Sequence, residues 1–385
     1  MTRKFLPAGQ GACYLEQFED GGAVINVMYD CGSATSLYSL QSAIENHIRT
    51  GSDIHAVFIS HFDEDHINGL PFLTDNYNVK NLFVPLLTEN EINIIKLNCL
   101  SGHAAPARDS FLWRFINQYP YFEDVRVPAV YYVRPRQGSG DEERPELTNG
   151  WDISAHIVES GSNVSEIITA RVKPGALSSD WLYVPFNFRQ YERYDMLIAE
   201  LRKEHSFSEH VKSEDILKLI EKDDANIQKI RNAYKRIPGS LNVNSMVLYS
   251  GSADKELVQK IESSSMINKS DIFCKWCNER AKTRNGCLYT GDYDASGTRK
   301  WKDMKNAYAR YWDSIGCIQI PHHGSCHNYT STLTDKPECL YVISAGKKNR
   351  YGLPNGSVIK DMLYKGIVPF IVTEDKRSEL EFIVF

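Results

Sequence analysis

Four side chains able to ligate a metal fall within six residues: His61, Asp63, Asp65 and His66, in the run Ser60-His61-Phe62-Asp63-Glu64-Asp65-His66. The run follows the apolar segment Ala56-Val57-Phe58-Ile59 and precedes Ile67-Asn68-Gly69-Leu70. A short buried strand is therefore expected to end where the acidic and imidazole side chains begin. In an extended turn alternate residues point the same way, so His61, Asp63 and Asp65 can converge. His66 joins Asp65 where the chain turns into a helix. Packing gives no reason to crowd three carboxylates and two imidazoles at a strand end. Repulsion among Asp63, Glu64 and Asp65 is costly without a cation. A solvated acidic loop is the plainer alternative, but the ligand spacing, the preceding strand and the following Asn68-Gly69 all favour a metal.

The elements that must position these residues alternate along the chain. Strand-like runs occur at 23–29, 56–59, 81–84, 129–133, 245–249, 286–290, 316–320 and 340–343. Two more, 367–372 and 380–385, read as a terminal hairpin. Between them lie helical patterns such as 36–48, with apolar positions at Leu37, Leu40, Ala43, Ile44 and Ile48. This order favours two sheets sandwiched by outer helices. Residues 139–239 break the pattern. An exposed linker, Gly138-Ser139-Gly140-Asp141-Glu142-Glu143-Arg144-Pro145, leads to helical patterns at about 189–205 and 213–236. In the second of these, Ser213 reads as an N-cap followed by Glu214 and Asp215. Residues 1–138 and 240–385 are thus expected to form one catalytic domain. The partly helical insertion 139–239 is either a cap over the site or a decoration packed on the sandwich.

At 385 residues the chain can bury a sizeable core. Its net charge of −5 argues against indiscriminate coating of nucleic acid, but leaves room for a local basic groove. No run approaches the roughly eighteen apolar residues of a membrane span, and the first residues lack a signal-peptide core. The nine cysteines follow no framework spacing, which together with the missing signal suggests a reducing cytoplasm. Cys274-Lys275-Trp276-Cys277 is the one Cys-x-x-Cys. A structural zinc there needs two more ligands, of which Cys287 is the nearest candidate, so ordinary thiols are the simpler reading. His103 sits in a loop and reads as a solvated histidine rather than a ligand.

The segment 60–66 resembles the His-x-His-x-Asp-His signature of the metallo-β-lactamase superfamily, with Asp63 at the second histidine. That variant resembles the branch containing the ComEC-type competence nuclease domains. Further segments resemble that branch in order: Gly9-Gln10-Gly11, Tyr29-Asp30-Cys31-Gly32, Asn242-Val243-Asn244-Ser245, Thr290-Gly291-Asp292, Pro321-His322-His323-Gly324-Ser325, and Ser344-Ala345-Gly346 through Asn349-Arg350-Tyr351-Gly352. One departure stands out: the branch usually follows Tyr-Gly with His-Pro, and this chain has Leu353-Pro354. The resemblance implies an α/β fold, a metallo-β-lactamase-like αββα sandwich with the metals at one sheet edge.

It also implies a two-metal hydrolase. Hydrolysing a phosphodiester calls for a nucleophile at neutral pH and charge neutralisation, which two divalent cations about 3.5–4 Å apart supply. On this reading His61 and Asp63 hold one ion, Asp65 and His66 the other, and Asp292 bridges them. His322 or His323 completes the shell or donates a proton, and Asp65 also orients the attacking water. Only one of the two adjacent histidines is expected at the metals. Asp30 is expected to buttress the metal loop. Oxygen ligands favour manganese, with zinc as the other candidate. The resemblance places Ser325, Lys347 and Asn349 on the substrate side. The basic, aromatic stretch from Arg299 to Trp312 suits phosphates and bases, but reads equally as a solvated helix face whose aromatics pack inward. A DNA nuclease is the leading reading, alone or beside an operon-encoded protein partner. A small-molecule hydrolase of the same fold and a non-enzymatic metal- or partner-binding chain are the alternatives.

Overall fold

The computed structural model describes residues 1–20, 23–101, 110–123, 125–136, 152–153, 156–170, 180–189, 191–205, 244–263 and 282–385, with Lys218, Gln228, Asn232, Ala233 and Arg236. The Cys274/Cys277 pair, the linker 138–145, His103, His210, Asn242 and most of 213–236 lie outside the described residues.

Alternation along the strands builds two sheets face to face. The first has ten strands, in the order Lys282–Arg284, Val258–Ser263, Leu380–Val384, Thr2–Phe5, Cys13–Asp20, Ala23–Cys31, Ala56–Phe58, Asn81–Pro85, Ala129–Val133 and Ile157–Val158. From Ala23–Cys31 onward its neighbours run parallel. The second has six: Trp181–Arg189, Asn244–Ser252, Gly286–Tyr289, Ile315–Gln319, Leu340–Ser344 and Phe370–Val372, the last four parallel.

Side chains two apart share a face. Val27 and Tyr29 therefore enter the core between the sheets, whereas Met28 joins the core under the helices of the first sheet. Met246 and Leu248 answer from the second sheet, and Val247 turns to its own outer helices. Phe58 and Phe83 stack within the inner core at 4.5 Å between centroids, each worth roughly 1.5–3 kcal/mol of burial. The helix Leu37–Glu45, capped by the Ser36 hydroxyl, packs Leu40, Ala43 and Ile44 on one outside face. Thr298–Ala307 and Gly356–Tyr364 cover the other. The result is the expected αββα sandwich.

Two expectations change. The C-terminal runs do not form a hairpin. Phe370–Val372 edges the second sheet, while Leu380–Val384 pairs with Thr2–Phe5 and Val258–Ser263 in the first. Both turn apolar side chains into the inner core from opposite sides, and the turn at Asp375, whose carboxylate caps Lys376–Ser378, carries the chain across. The stretch 139–239 also supplies sandwich strands. Ile157–Val158 edges the first sheet, and Trp181–Arg189 pairs over its whole length with Asn244–Ser252. The apolar alternation of Trp181, Tyr183 and their neighbours makes this a sheet strand rather than part of an insertion. The helix Tyr191–His205 then packs Leu197, Ile198 and Leu201 into the core outside the first sheet.

Candidate metal centre

The candidate ligands collect at the C-terminal ends of parallel strands from both sheets. On the first sheet, Ala56–Phe58 delivers Ser60 and His61, and a short helix, Glu64–Ile67, carries Asp65 and His66. On the second, Gly286–Tyr289 delivers Asp292, and Ile315–Gln319 delivers His322 and His323. The sheets touch here. The Met246 amide donates to the Ser60 carbonyl at 2.7 Å, and the Tyr29 hydroxyl donates to the Met246 carbonyl at 2.7 Å. Gly291, at φ +52, fits because a Cβ there would stand 2.6 Å from Ser60 Cβ. A Cβ on Gly32 would likewise strike the Asp65 backbone at 2.4 Å.

Asp292 stands in the middle. Its Oδ1 lies 3.3 Å from His66 Nε2. Its Oδ2 lies 3.7 Å from His61 Nε2 and 3.4 Å from His322 Nε2. Asp63 Oδ2 is 3.6 Å from His61 Nε2, and Asp65 Oδ2 is 3.2 Å from His323 Nε2. Two groups of donor atoms are close enough to surround an ion: His61, His66 and Asp292, and Asp65, His66 and His323. His61, His66, Asp292 and His323 are buried, whereas Asp63, Asp65 and His322 are 33 %, 22 % and 21 % exposed. The cluster therefore has one open side.

Both adjacent histidines turn toward the cluster, and of the two His323 belongs to a group of donor atoms close enough to surround an ion. His322 and His323 have φ of 49° and 54°, and these left-handed turns send the two rings to different carboxylates. Such a conformation is costly for non-glycine residues and persists only where the surroundings hold it.

Every imidazole in the cluster is gripped from behind through Nδ1. His66 Nδ1 lies 2.8 Å from Asp30 Oδ2, His61 Nδ1 2.9 Å from Ser60 Oγ, His322 Nδ1 3.0 Å from Asn328 Oδ1, and His323 Nδ1 2.8 Å from the Ser344 carbonyl. Asp30 and the Ser344 carbonyl only accept. Asn328 donates its Nδ2 to the Asp292 carbonyl at 3.1 Å, which turns its oxygen to His322. An Nδ1–H on each ring leaves Nε2 with its lone pair facing the cluster. The Nε2 atoms of His61, His66 and His323 are buried and make no hydrogen bond. Buried acceptors without donors are costly, and a divalent cation would satisfy all three, so the residues present fit a metal.

Electrostatics agree. Burial opposes charge on His66, but the carboxylates of Asp292, Asp30 and Asp65 together raise its pKa well above the ordinary histidine value. Burial likewise works against charge on Asp65, yet His66 and His323 bring it down to about 2. Burial would raise Asp292, and His322, His66 and His61 instead hold it well below the carboxylate range. Burial opposes charge on His323, but the Asp65 carboxylate beside it raises its pKa, while burial lowers His322. Anionic oxygens here hold protons on imidazoles at the positions a metal would take.

The remaining expected residues lie around the cluster. Asp30, fully buried at φ +54, accepts from the Ser60 amide and hydroxyl at 2.7 Å each as well as from His66, so it buttresses the metal loop. Asn349 spends its amide on its own loop: it donates to the carbonyls of Gly346 and Leu353 and accepts from the amides of Tyr351 and Leu353. Lys347 pairs with Asp375 at 2.6 Å. Ser325 is buried beside the histidine turn, its hydroxyl accepting from the His327 amide at 3.3 Å. Trp301 and Tyr308 of the basic stretch face the outer core of the second sheet, the inward-packing alternative. The supporting roles of Ser60, Asn328 and Ser344 emerge only from the fold: Ser60 and Ser344 lie in quoted motifs, and Asn328 in none.

A sandwich that brings imidazoles and carboxylates together at its strand ends, with buried Nε2 atoms facing inward, has the residues to hold a metal ion. Within it, residues 6–157 match the family model described as metallo-beta-lactamase superfamily. The match takes in the whole 60–66 motif and ends before Asp292, His322 and His323, which the fold brings to it. No curated protein matches the chain. Among the described residues, no helix is long and apolar enough to cross a membrane.

Proposed function

We propose that this chain is a metal-dependent phosphodiesterase, a nuclease acting on DNA with two divalent cations, manganese in preference to zinc. The observation that carries the reading is Asp292, whose two oxygens face different histidines, His66 from Oδ1 and His61 and His322 from Oδ2, as suits a carboxylate shared between two ions. His66 has one free lone pair and serves one ion. The assignment that uses every donor once gives His61 and Asp63 to the first ion, and Asp65, His66 and His323 to the second, with Asp292 shared. His322 completes the first group or passes a proton to the leaving oxygen. The carboxylates on the open side favour an oxygen-loving ion. When bound, the cations would supply Lewis acidity toward a phosphoryl oxygen and a more acidic water. Asp65 holds that water in line, and the buried wall of His61, His66 and His323 fixes the geometry.

DNA is favoured by the loop that closes the domain. Lys348, Arg350 and Tyr351 are exposed on it, and Pro354, just beyond, packs where a Cβ on Gly324 would meet it at 2.7 Å. Cations and an exposed ring thus adjoin the histidine turn, an arrangement suited to phosphates and bases. We assign the enzyme to a reducing cytoplasm, a reading supported by nine cysteines without a framework spacing. Residues 139–239, less the two sheet strands, form its insertion.

The test is hydrolysis of single- and double-stranded DNA, RNA and bis(p-nitrophenyl) phosphate with Mn²⁺, beside Asp65→Ala. DNA cleavage that falls by about a hundredfold or more in the variant supports the proposal. Turnover of the small diester alone shifts it to a small-molecule hydrolase. No turnover by a metal-loaded chain, with Leu353 where the resembled branch has histidine, rejects catalysis.

A further inference from the structure

Of the four acceptors behind the imidazoles, one can change role. A carboxylate, a carbonyl and an oriented amide oxygen only accept, but the Ser60 hydroxyl can accept from His61 Nδ1 or donate to it. The second option puts the ring proton on Nε2 and removes His61 as a ligand. Ser60 Oγ also lies 2.7 Å from Asp30 Oδ2, and the Ser60 amide donates to Asp30 Oδ1 at 2.7 Å. With the carboxylate fixed by that amide, the single hydroxyl proton must go to Oδ2. Ser60 Oγ is then left to accept from His61.

We propose that Ser60 is a positioning residue that relays the Asp30 carboxylate to His61, so that one buried carboxylate sets the tautomers of two metal ligands, His66 directly and His61 through the hydroxyl. This deepens the metal-hydrolase reading and rests on it for its purpose, but not for its test. No proton is gained or lost: the relay chooses which nitrogen of a neutral ring carries it. Gly291 packs close against this side chain, since a Cβ there would stand 2.8 Å from Ser60 Oγ.

Two substitutions separate the links. Ser60→Ala removes the acceptor of His61 and leaves the Asp30–His66 bond. Asp30→Asn keeps the shape. Its oxygen stays with the Ser60 amide, so its NH₂ takes the Oδ2 position and its two protons go to Ser60 Oγ and His66 Nδ1. The relay then reverses, and both rings move to the Nε2–H form.

The readout is two-bond ¹H–¹⁵N correlation of the imidazoles in the metal-free full chain, at a pH where the rings are neutral, with zinc calorimetry beside it. Wild type should show His61 and His66 as Nδ1–H. Ser60→Ala should lose that signature at His61 alone and weaken zinc binding about 10- to 100-fold, as loss of outer-shell partners does. Asp30→Asn should lose it at both. Ser245→Ala removes a neighbouring buried hydroxyl bonded instead to the Thr290 carbonyl, and should leave both rings and the affinity unchanged. His61 still Nδ1–H with unaltered zinc affinity in Ser60→Ala overturns the relay, as does an Asp30→Asn chain with both rings unswitched. Should Ser60→Ala fail to fold, Asp30→Asn decides alone. A wild type that binds zinc and shows both tautomers yet hydrolyses nothing removes the hydrolase reading and leaves the relay standing.

Discussion

At the scale of single residues the site is a balance between protons and cations. His66 and His323 have raised pKa values because carboxylates crowd them, and Asp65 and Asp292 are held low by the same contacts read from the other side. At neutral pH both carboxylates are already ionised, so they release nothing when an ion arrives. His66 and His323 must give up protons. Affinity for a divalent ion should therefore rise with pH until the raised histidine values are passed, and then level off; as pH falls below them, protons reclaim the site. Zinc titrations in buffers of different ionisation enthalpy check this, with net proton release expected on binding. Release that is absent at neutral pH would mean that the two imidazoles are not displaced from their carboxylates. The reason the supporting roles of Ser60, Asn328 and Ser344 escape a reading of the sequence lies at this scale too. A hydroxyl, an amide and a backbone carbonyl carry no metal-ligand signal, and matter only through the ring nitrogen each meets.

At the scale of elements, what was legible follows the local pattern. The strands at 56–59, 81–84 and 129–133 are short, mostly apolar and largely buried runs, and each appears within a residue or so of its reading. Cys13–Asp20 did not show itself, because Glu16, Gln17, Glu19 and Asp20 hide its alternation. Glu16 is nevertheless interior. It takes a 2.7 Å bond from Arg3 Nε, 2.8 Å bonds from the hydroxyls of Tyr183 and Tyr289, and 2.6 Å from Ser250. These partners come from four strands in two sheets, so no window of sequence contains the reason for its burial. Burial alone would lower the Arg3 pKa, and Glu16 more than reverses that. Arg3→Met should cost about 3–5 kcal/mol in denaturant unfolding, since it strands a buried carboxylate. Adding Glu16→Leu should recover part of the loss; a double variant no more stable than the single would show that the charges are not the source of the cost. The terminal hairpin was misread for a related reason. Two apolar runs with a polar turn between them look alike whether they share a sheet or face each other across a core.

For the whole molecule the consequence is mechanical. His61, Asp63, Asp65 and His66 belong to the first sheet, and Asp292, His322 and His323 to the second, so no ion can be fully ligated unless the sheets are closed on one another. The inner core already holds them, through Tyr14, Tyr29 and Tyr289 with ring centroids 5.4 and 5.2 Å apart along the stack. What it does not relieve is the cost at the seam, where buried Nε2 atoms without hydrogen-bond partners face carboxylate oxygens. An ion that binds only the closed sandwich stabilises it by mass action, about 2.7 kcal/mol at a hundredfold excess over its Kd. In a chain of this size that is a rise in Tm of several degrees at most. The expected outcome is a melting temperature raised by manganese or zinc and lowered by a chelator. Asp292→Asn should lose that response, because its amide cannot serve two ions, while Asp375→Asn, in the turn that crosses between the sheets away from the cluster, should keep it. An undiminished response in Asp292→Asn would place the ion at Asp65, His66 and His323, which also join the two sheets, and would remove Asp292 as a shared ligand.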